Sequence, residues 1–114
     1  MKTKDTVDIL VDYINDHYEK NFTVKDLAMQ FAISPDYFAK LFKKSTGQSF
    51  IEYVNGKRID AACKMLLSSQ SSVTEIAQSI GYQDIQYFYK LFRKIMKMTP
   101  LEYKRRPVKQ DQPQ

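Results

Sequence analysis

The sequence is poor in the residues from which reactive and metal-binding sites are built. Its 114 residues include one cysteine, Cys63, and one histidine, His17. No intrachain disulfide can form, and a lone thiol fits a reducing cytoplasm, where it would fill an apolar helix face. The longest apolar runs are only a few residues, so we expect neither a membrane span nor a signal peptide.

Glycine and proline are also scarce, with three and four residues, and stretches of alternating apolar and polar residues are few. Both features favour an all-α protein, the size of one domain or of two very small ones sharing a core. Apolar residues at helical spacing predict a first helix from about Thr6 to Tyr18. The polar, proline-bearing segment 108–114 is predicted to be a flexible tail, and residues 1–4 to be equally loose.

Two nearly identical phrases stand fifty residues apart. "FAKLFKK" covers residues 38–44 and "FYKLFRK" covers residues 88–94, with five of the seven positions identical. If the similarity were a coincidence of a common helical pattern, it would be limited to these seven residues, but it extends to both sides of the two segments. Capping boxes, in which a hydroxyl is followed three residues later by a carboxylate, recur at offsets of 49 and 50 in "TVKDLA" at 23–28 and "SVTEIA" at 72–77, then in "SFIEY" at 49–53 and "TPLEY" at 99–103.

Each copy has the size of a helix-turn-helix, with two helices and a tight turn in roughly twenty residues. Ser34 and Asp84 are the predicted N-caps of the second helices. Gly81 lies in the second turn, where it can take a positive φ, and Gly56 should weaken the helix between the copies. The predicted organisation is a first helix-turn-helix subdomain at 1–48, a linker helix at 49–68, a second subdomain at 69–107 and the tail at 108–114.

A helical wheel divides each second helix into an apolar and a polar face. The residues predicted to be buried are Phe38, Leu41 and Phe42 in the first copy and Phe88, Leu91, Phe92 and Ile95 in the second. Those predicted to face outward are Asp36, Lys40 and Lys43, then Gln86, Lys90, Arg93 and Lys97, with Ala39, Lys44, Tyr89 and Lys94 on the flanks. Residues 1–34 carry a net charge of −2 and residues 35–114 carry +7, which indicates a polyanionic partner approached from one side.

This pattern is typical of a helix that reads DNA, since its first turns meet base edges in the major groove and its later cations meet phosphates. A single basic face can simply be solvated, but two on matched scaffolds favour DNA binding. A catalytic function is poorly supported. The one histidine, His17, lies between Asp16 and Glu19 at a helix end, and the sequence has no Gly-rich phosphate loop and no cluster with metal-ligand spacing. A helical protein-binding module remains the other alternative, although two copies are fewer than helical arrays need. We predict no catalytic residue, no metal and no cofactor.

The second copy, "IAQSIGYQDIQYFYKLFRKIMKMTPLEYKRR" at residues 76–106, resembles the signature of the AraC family of bacterial transcription regulators. The corresponding marks are Ile76-Ala77, Gly81-Tyr82, Asp84, Tyr87-Phe88, Phe92-Arg93-Lys94, Thr99-Pro100, Tyr103 and Arg105-Arg106. The linker also fits, through Arg58-Ile59, Ala62 and Met65-Leu66. The resemblance runs from about Val7 to Arg106.

The resemblance implies a seven-helix unit with two helix-turn-helix subdomains, each placing its second helix in a major groove. Family base contacts map onto Asp36, Ala39 and Lys40 in the first copy and onto Ile85, Gln86, Tyr89 and Lys90 in the second. Phosphate contacts are expected at Ser34, Lys43, Lys44, Arg93 and Lys94. The sequence departs from the family at Lys97, where glycine is common, and at Phe50, where many relatives have proline. Ala39 and Ile85 can make only apolar contacts, such as with thymine methyls.

The predicted function is sequence-specific binding of double-stranded DNA for transcription regulation, with two reading helices about one DNA turn, roughly 34 Å, apart in an asymmetric site. The isolated unit is expected to be a cytoplasmic monomer with no membrane partner, and an activator would also contact RNA polymerase. The chain is either a fragment of a longer regulator or a stand-alone regulator, and because most relatives attach a ligand-binding or receiver domain, we favour the fragment.

Overall fold

The computed structural model describes residues 6–105. Over this range the chain forms seven α-helices and no strand, which confirms the predicted all-α class. The helices are α1 Thr6–His17, α2 Val24–Gln30, α3 Pro35–Thr46, α4 Phe50–Ser68, α5 Val73–Ser79, α6 Ile85–Met96 and α7 Pro100–Arg105. The predicted tail at 108–114 and residues 1–4 lie outside the described residues.

Reciprocal capping boxes set the starts of four helices, as the sequence predicted. Thr23 Oγ1 accepts a hydrogen bond from the Asp26 N–H at 3.0 Å, and Asp26 Oδ2 accepts one from the Thr23 N–H at 3.2 Å. The same reciprocal pairs join Ser72 with Glu75, Ser49 with Glu52 and Thr99 with Glu102. Each box satisfies two amides that no helix carbonyl can reach, so these boundaries follow from four consecutive residues.

Left-handed backbone conformations mark the turn and the far end of each second helix. In the turns before α3 and α6, Ala32 has a φ of 58° and Gly81 a φ of 107°. At the ends of those helices, Gly47 has a φ of 81° and Lys97 a φ of 65°. The Lys97 N–H donates to the Arg93 carbonyl at 2.9 Å. α6 therefore ends in the usual left-handed cap although the glycine common at this position is missing.

The described residues fall into two compact units that divide between Lys57 and Arg58, inside α4. Unit 1 contains α1, α2, α3 and the first part of α4, and unit 2 contains the rest of α4 with α5, α6 and α7. Gly56 stands next to the division, and α4 continues through it. A Cβ added at Gly56 would meet nothing within 4 Å, so packing does not require a glycine there.

Unit 1 is built around aromatic rings from α3 and α4. Phe38 and Phe42 are fully buried, and their rings lie nearly parallel with centres 5.9 Å apart. Phe50, the first residue of α4, meets both rings edge-on at 5.6 and 5.8 Å. The surrounding core residues are Leu10, Ile14, Leu27, Ala28 and Val54. The phenylalanine that replaces the family's proline thus anchors α3.

Phe88 and Phe92 take the equivalent places in unit 2 and are also fully buried. The Phe92 ring meets Tyr103 of α7 at 5.9 Å, and the Phe88 ring meets Tyr82 at 5.7 Å. The guanidinium carbon of Arg58 lies 5.0 Å from the centre of the Tyr82 ring, which ties α4 to the turn before α6. Burial raises the pKa of Tyr82 to about 12, although the charge and hydrogen bond of Arg58 oppose this rise.

Three residues predicted to be buried are covered less than expected, and one of them is exposed. Ile95 is 41% exposed, and the equivalent Ser45 of the first copy is exposed too. In both copies the last turn of the second helix therefore extends past the core. Leu41 and Leu91 are half-buried rather than buried, while Cys63 is buried on its helix as predicted.

Candidate nucleic-acid interface

The N-cap and the buried phenylalanines of α3 fix which face of the helix is buried and which is exposed. Ser34 has an extended backbone, and its Oγ accepts a hydrogen bond from the Tyr37 N–H at 3.1 Å. Pro35 follows at the start of the helix, where its missing N–H leaves no carbonyl unsatisfied. Phe38 and Phe42 cannot turn outward without leaving the core. The exposed residues on the opposite face and its flanks are Asp36, Ala39, Lys40, Lys43 and Lys44.

α6 is held in the same way in unit 2. Asp84 Oδ1 accepts hydrogen bonds from the N–H groups of Gln86 and Tyr87 at 3.0 and 3.2 Å. The predicted contact residues are exposed at Gln86, Lys90, Arg93 and Lys94 and half-buried at Ile85 and Tyr89. The Tyr89 ring lies 6.1 Å from the Phe88 ring, so part of its surface is covered by its own helix.

The structure gathers the predicted contact residues of each copy on one helix, called here a reading helix. In unit 1 they lie on α3 and at its N-cap, Ser34, and in unit 2 they all lie on α6. Because Ser34 uses an oxygen lone pair to cap the helix, its hydroxyl hydrogen remains available as a donor. Ile85 and Tyr89 are exposed over a smaller fraction of their surface than the other predicted base-reading residues.

Charge changes along both reading helices. Lys43 and Lys44 lie in the last turn of α3, and Arg93 and Lys94 in the last turn of α6, where cations interact favourably with the helix carbonyls. Asp36 lies in the first turn of α3, and the first turn of α6 has no acidic residue. Within residues 6–105 none of these four cations forms an ion pair. Their charge is therefore available to a polyanion.

Two exposed tyrosines beside these faces are absent from the predicted contact set. Tyr37 is 55% exposed and Tyr87 is 43% exposed. The sequence could have indicated these two residues as contacts. Both copies of the repeat have tyrosine at this position, although the outward residues just before them, Asp36 and Gln86, differ.

The geometry agrees with comparisons to known proteins. The family model described as "Helix-turn-helix domain" matches residues 27–106. The regulatory protein PocR of Salmonella typhimurium is 37% identical over 92 residues, which cover 81% of this chain and 30% of that protein. The C-terminal domain of AraT, a response regulator from Geobacillus stearothermophilus, is 30% identical with a TM-score of 0.87, over 94% of this chain and 89% of that one. The chain belongs to the AraC family of transcription regulators.

An AraC-family structure with bound nucleic acid is similar as well. The DNA-binding domain of the transcriptional factor AdpA, in complex with a target DNA, is 25% identical with a TM-score of 0.85 and covers 92% of this chain and 99% of that chain. This chain is thus the DNA-binding domain of an AraC-family regulator.

The AraC-family relatives are longer than this chain. The match covers 33% of the regulator YijO of Escherichia coli and 30% of PocR, so the chain spans about a third of the length of these curated relatives. Among the described helices, none is long and apolar enough to cross a membrane.

Proposed function

We propose that this AraC-family domain recognises a specific sequence in double-stranded DNA, with α3 and α6 in adjacent major grooves of one asymmetric site. The second helix of a helix-turn-helix is the element that enters the groove, and two grooves on one side of DNA lie about 34 Å apart. The similarity to the AdpA domain that was solved with its target DNA supports the proposal.

The exposed polar residues near the start of each reading helix are the proposed base readers. Lys40 and Lys90 have the length and charge to bind guanine O6 and N7, and Gln86 can pair with the N6 and N7 atoms of adenine. Asp36 can accept a hydrogen bond from the cytosine amino group. The proposed apolar and flanking readers are Ala39, Ile85 and Tyr89.

The proposed phosphate contacts supply affinity rather than specificity. They are Ser34, Lys43 and Lys44 for α3 and Arg93 and Lys94 for α6. Each cation that neutralises a phosphate releases counterions from the DNA, so binding should weaken as salt rises.

The observation that carries the asymmetric site is that two reading helices of the same construction have unlike outer faces. Asp36 and Ala39 in α3 correspond to Gln86 and Tyr89 in α6, and an acid and a small methyl group cannot select the same bases as an amide and a phenol. Two unlike half-sites need no two-fold axis, so the proposed binding unit is a monomer. We further propose that the regulator acts in the cytoplasm and, if it activates transcription, contacts RNA polymerase.

Selection from random duplex DNA, combined with sedimentation of the complex at several salt concentrations, tests this function. We expect one chain per duplex, a site with two different halves and an affinity that falls steeply with salt. A duplex in which the two half-sites are exchanged is the matched control and should bind much more weakly. Recovery of a palindrome bound by an obligate dimer, or an affinity insensitive to salt, would contradict the proposal.

A further inference from the structure

The two copies keep the same exposed tyrosine beside unlike reading faces. Tyr37 and Tyr87 stand at an offset of 50 and are 55% and 43% exposed. Each lies in the first turn of its helix, where its N–H donates to the N-cap side chain at 3.1 and 3.2 Å. Capping uses only the backbone, so it does not require a tyrosine at either position. The Tyr87 ring also packs against the buried Tyr82 ring at 5.9 Å, but the residue equivalent to Tyr82 in the first copy is Ile33, so this ring pair is not what the two copies share.

Helix geometry groups each tyrosine with a lysine seven residues later. Seven residues make nearly two full turns, so Tyr37 and Lys44 lie on one edge of α3 and about 10 Å apart along its axis. Tyr87 and Lys94 are related in the same way on α6. Both lysines are exposed, and both copies keep the pair unchanged. The edge with the tyrosine and the lysine lies roughly 80–100° around the helix axis from Asp36 or Gln86. When the outer face of the helix meets the base edges at the floor of a major groove, this edge therefore faces the DNA strand at the side of the groove.

We propose that Tyr37 with Lys44, and Tyr87 with Lys94, each hold the phosphodiester strand that borders the groove, with the tyrosine hydroxyl donating a hydrogen bond to a phosphate oxygen. The inference rests on the proposed function, since it requires α3 and α6 in major grooves. Backbone contacts are the same for every DNA sequence, whereas base contacts must differ between unlike half-sites. A duplicated motif therefore retains its backbone contacts while its base-reading positions diverge. Tyrosine is among the side chains that donate to phosphates.

Tyr37→Phe and Tyr87→Phe test the proposal, because each removes a hydroxyl and keeps the ring, including the Tyr87 contact with Tyr82 at 5.9 Å. In titrations at several salt concentrations, each should weaken binding on the order of tenfold, and equally for all sequences of a site library. The slope of log affinity against log salt should stay unchanged, because no charge is removed. Lys44→Ala should also weaken all sequences alike but reduce that slope by about one unit.

Tyr13→Phe is the matched control in unit 1. Tyr13 is half-buried on α1, which also carries Asp8, Asp12 and Asp16 and is therefore expected to face away from DNA. This variant should bind as tightly as the wild type. Thermal melts of Tyr37→Phe and Tyr13→Phe should agree with the wild type within a degree or two, and the melt of Tyr87→Phe shows whether that variant is folded at the temperature of the titration.

Unchanged affinity in either tyrosine variant would overturn the inference, since it requires both copies to act alike. An altered sequence preference would also overturn it, because the tyrosine would then read bases. Failure of the proposed function is distinguishable, since it would show as the absence of salt-dependent duplex binding by the wild-type protein, and the inference would fall with it.

Discussion

Ala32 and Gly81 occupy the same position in the two turns, and both have left-handed backbones, with φ of 58° and 107°. The residue after each donates its N–H to the carbonyl five positions back, at 2.9 Å in both copies. The two turns therefore close with the same hydrogen bond, which requires a positive φ at the residue before the donor. Glycine meets this requirement without strain, whereas alanine in the same conformation costs about 1 kcal/mol.

Ala32→Gly should stabilise the protein by about 0.5–1 kcal/mol, because it relieves this strain and the Ala32 side chain is exposed. Gly81→Ala is the opposite exchange and should lower the free energy of unfolding by about 1 kcal/mol or more. Urea unfolding of both variants measures the effects. A loss of stability in Ala32→Gly would contradict the assignment of strain to that turn.

Gly56→Ala should raise the free energy of unfolding by about 1 kcal/mol, because glycine is a poor helix former and the added Cβ meets nothing within 4 Å. Gly47→Ala is a matched control, since its Cβ would also meet nothing but its φ is +81°. It should destabilise by about 1 kcal/mol. Thermal melts of both variants measure these changes. Equal shifts in the two melting temperatures would show that backbone conformation does not determine the effect of alanine on stability at Gly56 and Gly47.

Phe42→Ala and Phe92→Ala should each cost about 3–5 kcal/mol, because both rings are fully buried at the centre of their units. Small units have little stability to spare, so either change could unfold one unit or the whole chain. Thermal melts by circular dichroism record the loss. Ile95→Ala is the control on α6 and should shift the melt far less than Phe92→Ala, since Ile95 is 41% exposed.

Ionisation of Tyr82 should lower the free energy of unfolding in alkaline solution. Its pKa is raised from 10.0 to about 12 in the folded protein, so the folded state holds the phenol proton more tightly than the unfolded chain does. This stabilisation is complete below the unfolded pKa and is lost as the pH rises from about 10 to 12, by about 2 kcal/mol.

Urea unfolding of the wild type and Tyr82→Phe at several alkaline pH values tests this prediction. The wild type should lose more stability than the variant between about pH 9 and pH 11.5. Tyr37→Phe serves as the control with an exposed phenol. Parallel pH profiles of the wild type and Tyr82→Phe would refute the role given to Tyr82.

Four lysines should separate specificity from affinity. Lys40→Ala and Lys90→Ala should each cost about 1–3 kcal/mol of binding and relax discrimination at one position of one half-site. Lys44→Ala and Lys94→Ala should weaken all sequences alike and reduce the salt slope by about one unit each. We expect Lys90→Ala to cost more binding free energy than Lys40→Ala, because Asp36 beside Lys40 repels phosphates and guanine acceptors.

Titration of the four variants against a site library at several salt concentrations is the measurement. Should Lys40→Ala and Lys90→Ala weaken every sequence equally, those lysines would be phosphate contacts and the proposed groove assignment would be wrong.

The helices and their outer faces could be predicted because the interactions that define them are local. The capping pair Thr23 and Asp26 spans three residues, and the spacing of Phe38 and Phe42 is that of one helical turn. Repetition strengthened each prediction, since the N-cap residues and the two buried phenylalanines of the first copy recur about fifty residues later. The amino-acid sequence by itself therefore determined the helix starts, the all-α class and the set of side chains that lie on the reading helices.

Only the tertiary structure decided how much of each side chain is covered. Ile95 lies on the apolar stripe of α6, yet it is exposed because the core ends a turn earlier, and Tyr89 is half-buried although it lies on the flank of the polar face. The positive φ of Ala32 and the division of the chain between Lys57 and Arg58 likewise depend on how helices pack within each unit. Periodicity gives the direction of a side chain from its own helix, but burial and turn geometry are set by the neighbouring helices, which a local pattern does not contain.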